Sequence, residues 1–90
     1  MIDFRFYIPP HTKDTIDNFV SKGWKPGGFV RSVLANDFLG AFGAADENNT
    51  LHMRAIAAYV YNEVPMDCRG SYEAVEAWLD RFRGVKDEQN

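Results

Sequence analysis

Three residues of this 90-residue chain have side chains suited to nucleophilic or metal chemistry: His11, His52 and Cys68. None has the second His one helical turn away, or the paired Cys, that a zinc site requires. A Cys–His couple assembled in space would leave no trace in such spacing. His52 falls beside the main apolar stripe of its segment and is expected at the surface or its boundary. No residue is assigned a catalytic or metal-binding role. A non-enzymatic protein without a cofactor is expected.

A second candidate is the run KPGGFVR, in which Lys25 and Arg31 flank Gly27 and Gly28. Backbone N–H groups at a helix start, with a cation on either side, suit a phosphate or carboxylate. The spacing is not that of a phosphate-binding loop. The competing explanation is a helix entry whose glycines permit a tight turn. A third candidate is the set Asn36, Asp37, Asp46, Asn48, Asn49 and Asn62. These short polar side chains either converge on a polar ligand such as a nucleotide, or cap helices and satisfy backbone at helix breaks. Capping accounts for most of them.

Candidate interface residues are Tyr59, Tyr61, Tyr72 and Trp78, which carry polar handles on large apolar bodies. In so short a chain such residues also serve as core with one wet edge. Glu73, Glu76 and Asp80 follow in the C-terminal half and offer an acidic surface to a basic partner.

The elements that must position these residues are mostly helical. Residues 2–8 alternate, with Phe4 and Phe6 among the apolar positions, as in a half-buried strand. No second strand is evident. The segment is therefore expected either as an extended arm over the helices or as a strand paired with a second copy of the chain. Pro9-Pro10 ends it, Thr12 is expected to cap the first helix with Asp14 in its first turn, and Gly23 to stop it with Trp24 packed back on Phe19. Pro26 is expected to open a helix that breaks at Asn36-Asp37 before a short second one carrying Phe38, Leu39 and Phe42. Together these two form the floor of the core. Asp46 caps the longest helix, roughly residues 47–63, whose stripe is Met53, Ile56, Ala57, Val60 and Val64; Pro65 ends it. Ser71 caps a last helix through Val75, Trp78, Leu79 and Phe82, stopped by Gly84. The expected fold is mainly α, a compact bundle of four to five helices in one domain over residues 1–84, with an N-terminal arm (1–10) and a flexible tail over 85–90.

Composition limits the partners. Residues 1–45 carry five Lys/Arg against four Asp/Glu, and residues 46–90 five against nine, for a net charge of −3. With no basic stripe, direct nucleic-acid binding is not expected. A single cysteine excludes an internal disulfide and fits a reducing compartment. No apolar run reaches membrane-spanning length, and the opening residues lack the pattern of a secretory signal. A cytoplasmic protein is expected.

Four motifs occur together: PGGFxxxVLxND (Pro26-Gly27-Gly28-Phe29, Val33-Leu34, Asn36-Asp37), ADxxN (Ala45-Asp46, Asn49), YxYNxxP (Tyr59, Tyr61-Asn62, Pro65) and GSxxxVxxW (Gly70-Ser71, Val75, Trp78). Over roughly residues 10–82 the combination resembles a group of small bacteriophage and prophage proteins with no established activity. Arg69 stands where that group often has an aromatic. The resemblance implies a phage gene product in the bacterial cytoplasm and supplies no catalytic residues. The expected function is an accessory protein that binds a host macromolecule, a host protein foremost, for instance to blunt a defence system. The alternative is an oligomeric sponge for a nucleotide or other anionic ligand held near Lys25, Arg31 and the Asn/Asp set.

Overall fold

A computed structural model describes the backbone of residues 7–89 and the side chains of residues 7–83. The described residues form six α-helices: α1 (Pro10–Lys22), α2 (Gly28–Leu34), α3 (Phe38–Ala44), α4 (Glu47–Leu51), α5 (Met53–Glu63) and α6 (Tyr72–Gln89), with a 3-10 turn at Met66–Cys68. The protein is a mainly α bundle, and no strand occurs among the described residues. Phe4 and Phe6, on which the arm-or-strand expectation rests, lie outside them. Tyr7 and Ile8 are half-buried, and Ile8 packs against the core.

α1 starts three residues earlier than expected. Pro9 occupies the cap position and Pro10 the first turn, where a fixed φ and a missing N–H are tolerated. Thr12 is therefore inside the helix and buried, and Asp14 lies beyond the first turn. Ile16 and Phe19 are fully buried. Gly23 ends the helix at φ 68°, and its N–H donates to the Phe19 carbonyl at 3.1 Å. A side chain there would be strained twice over, because a Cβ would also overlap the Phe82 ring. Trp24 does not pack back to staple this turn. It is exposed, with the Lys22 ammonium 4.5 Å above its ring.

α2 begins at Gly28 with Gly27 as its cap residue, so Pro26 stands just outside the helix instead of opening it. Phe29, Val30, Ser32 and Leu34 are buried. The expected break follows: Asn36 adopts a left-handed φ of 64°, which a short polar side chain tolerates best among non-glycine residues. Asp37 then caps α3, its Oδ1 accepting from the Gly40 N–H at 2.9 Å. A Cβ on Gly40 would collide with that carboxylate, so the glycine permits the cap.

The segment expected as the longest helix is two helices. Asp46 caps α4, accepting from the Asn49 N–H at 2.7 Å, but the path breaks at His52. Asn48, Asn49 and Thr50 compete for backbone bonds and favour caps over helix interiors; Thr50 Oγ1 in fact donates to the Asp46 carbonyl. α5 then buries Ala55, Ile56 and Val60, with Val64 just beyond, while Ala57 stays exposed. Ser71 caps α6, accepting from the Ala74 N–H at 3.0 Å. Gly84 does not stop α6, which is the longest helix and continues to Gln89. One glycine is a mild penalty inside a helix when no left-handed turn follows it. The Trp78 indole N–H donates to the Phe19 and Val20 carbonyls at 3.1 and 3.2 Å, tying α6 to the end of α1.

Candidate functional site

The KPGGFVR run does not assemble an anion site. Gly27 and Gly28 line a shallow hollow with His11, Thr12, Thr15, Asp46 and Asn49, where Asp46 contributes negative charge. Lys25 lies in a different hollow, beside Glu76 and Arg83. Arg31 turns toward α6, with Nη2 3.4 Å from Glu76 Oε1 and its guanidinium 4.6 Å above the Tyr72 ring. The two cations are thus separated from the glycines.

Nor do the Asn and Asp residues converge. Asp37 and Asp46 are caps. Asn49 accepts from the Thr12 hydroxyl at 2.5 Å and joins α4 to α1. Asn62 lines a surface groove beside Ile8 and Tyr59. Tyr72 donates to Asp37 Oδ2 at 2.6 Å and shares a hydrogen bond with the buried Ser32 hydroxyl at 3.2 Å. The hydrogen bond from Tyr72, with that from the Gly40 N–H, holds the Asp37 carboxyl below its usual pKa.

Most of the candidate interface residues are tied to neighbours within the chain. Glu76 pairs with Arg31 and Arg83, and Asp80 with Arg83. The Tyr59 hydroxyl donates to Asp17, which Lys13 also holds. Burial pushes the Asp17 carboxyl up, but these hydrogen bonds outweigh it and its pKa falls below the usual value. Glu73 is exposed in the first turn of α6.

His52 is buried instead of at the boundary. Its ring meets Tyr7 edge-on, with centroids 4.8 Å apart. Cys68 is also fully buried; burial pushes its thiol up, and the sulfur donates to the Pro65 carbonyl at 3.3 Å. Among the described residues no group of His, Cys, Asp and Glu is arranged to hold a metal ion.

Two surfaces were not foreseen. The first is α3, expected in the core floor. Only Ala41 is buried there, while Phe38, Leu39 and Phe42 are 68%, 79% and 40% exposed. The Phe38 and Phe42 rings meet edge-on, with centroids 4.8 Å apart. Their spacing is that of any apolar helix face, so no sequence signal marks the face as uncovered.

The second is a cleft of about 450 Å³ between the end of α2, α5 and the loop before α6. It is lined by Val33, Leu34, Asn36, Ala57, Val60, Tyr61, Arg69 and Gly70. Arg69 donates from Nε to the Val64 carbonyl at 3.1 Å and from Nη2 to the Tyr61 carbonyl at 3.2 Å. It thereby satisfies carbonyls that the end of α5 leaves open. The only sequence signal was a lone arginine just past a proline-terminated helix. A smaller groove lined by Ser32, Val33, Asn36, Asp37, Phe38, Ala41, Met53 and Ala57 lies between this cleft and the α3 face.

No family model matches the chain, and no curated protein or solved structure matches it either. No helix among the described residues is long and apolar enough to cross a membrane.

Proposed function

We propose that the protein acts by binding another protein through the exposed face of α3. The observation behind this is the pairing of a closed core with three uncovered large apolar side chains on one short helix. Contiguous apolar patches of this kind mark interaction sites on soluble proteins, and aromatic side chains dominate the energetics of such sites. Taken with the resemblance to phage proteins, the reading is an accessory protein that engages a bacterial host protein in the cytoplasm, as a defence inhibitor would. It requires no catalytic residue. The sponge alternative has less support at its original site, because Lys25 and Arg31 both lie beside the acidic Glu76 while the Asn and Asp residues are spread over other surfaces.

Cross-linking mass spectrometry tests this on tagged protein expressed in a bacterial host, beside the double variant Leu39→Ser/Phe42→Ser. A bacterial protein cross-linked within reach of α3, and lost in the variant while the melting temperature holds, is the expected result. Equal recovery of the partner by both proteins, or cross-links only within the chain itself, overturns the reading.

A further inference from the structure

The cleft beside Arg69 has a chemistry distinct from the α3 face. Its walls are the apolar side chains of Val33, Ala57 and Val60, and Arg69 is the one charged residue in its lining. In a chain of net charge −3, the cleft holds a cation with no acid among its lining residues. The described ion pairs engage Lys13, Arg31 and Arg83; none engages Arg69.

Arg69 is also held in place. Of the five N–H donors an arginine carries, one on Nε and one on Nη2 go to the Val64 and Tyr61 carbonyls. The guanidinium carbon lies 5.4 Å from the Tyr61 ring centroid. Two main-chain acceptors and an aromatic face restrict the guanidinium, so less side-chain entropy remains to be lost when another group binds it. The N–H groups left over form part of a planar fork that matches a carboxylate. The Gly70 N–H, bonded to the Leu34 carbonyl at 2.7 Å, anchors the Arg69 loop to the end of α2.

We propose that this cleft binds a small carboxylate with an apolar body, its acid group on Arg69 and its hydrocarbon against Val33, Ala57 and Val60. A single charged residue in the lining suits a monoanion better than a multiply charged phosphate. The volume lies in the range of small-molecule sites. The proposal does not rest on the α3 reading: Leu39→Ser/Phe42→Ser should bind the ligand as the unaltered protein does.

Hexanoate, with hexan-1-ol as the uncharged control, is a direct probe, followed by the amide NMR signals of Gly70 and Ala57. Hexanoate should shift both signals saturably, hexan-1-ol should not, and Arg69→Gln should weaken the effect about tenfold or more, the scale of a lost charged hydrogen bond. Equal shifts from the alcohol, or no shift from hexanoate at tens of millimolar, overturn the proposal. Should Arg69→Gln lose its dispersed spectrum, Ala57→Trp serves instead, filling the cleft without removing Arg69. Retention of the hexanoate shifts by that variant would also overturn it.

Discussion

α2 and α3 are neighbours of seven residues each, similar in apolar content, joined by a three-residue turn, yet they end in opposite surroundings. α2 buries Phe29, Val30 and Leu34. α3 buries Ala41 and leaves Phe38, Leu39 and Phe42 outside. The turn makes the difference. Left-handed Asn36 and the Asp37 cap reset the helix rotation, so the small residue of α3 faces inward and the large ones outward. Apolar content alone does not decide burial; the rotation set by a short turn does.

Truncation of the two helices should separate them most clearly. Leu34, 1% exposed, should lose about 2–5 kcal/mol on Leu34→Ala, the range for buried leucines. Leu39→Ala should change stability by less than about 0.5 kcal/mol, as exposed positions do. Urea unfolding of both variants measures the gap, and similar losses would break the comparison. The turn itself comes next. Gly40→Ala should destabilise by about 1–2 kcal/mol, because the new Cβ displaces the capping carboxylate. Tyr72→Phe removes the hydroxyl that joins Ser32 of α2 to Asp37 of the turn, and should lower stability by about 1 kcal/mol in the same assay.

The smallest effect is on pH dependence. The folded-state pKa of Asp37 is depressed, so its contribution is complete above the ordinary carboxylate pKa and is lost as pH falls through the folded value. Asp37→Asn should therefore flatten the acid side of the stability profile and leave its slope unchanged near neutrality. A variant profile as steep in acid as the wild type would remove Tyr72 and Gly40 as the source of the shift.

Features written within four or five residues were legible in the sequence. The Asp46 and Ser71 caps, the left-handed Gly23 and the Asn36-Asp37 break all stand where local chemistry put them. Features set by the packing of distant segments were not. His52, expected beside the stripe of one continuous helix, stands at the break between α4 and α5, and its burial against Tyr7 depends on where a residue 45 positions away comes to lie. Phe38, Leu39 and Phe42 follow a core-like spacing, and only the turn geometry reveals that they face solvent. The Arg69 cleft arises between three segments, none of which carries a motif for it. The anion site is not assembled for a similar reason: Arg31 is drawn to Glu76, 45 residues on, and Lys25 lies beside that same acidic residue.

The bond from the Trp78 indole to the end of α1 has an optical consequence. Trp78 is partly shielded and bound to main-chain carbonyls, whereas Trp24 is open to solvent under Lys22. The two should emit at different wavelengths, and acrylamide should quench the Trp24 component first. Neither α2 nor α3 contains tryptophan, so intrinsic fluorescence follows the α1–α6 junction and passes over the helix pair whose two faces differ most.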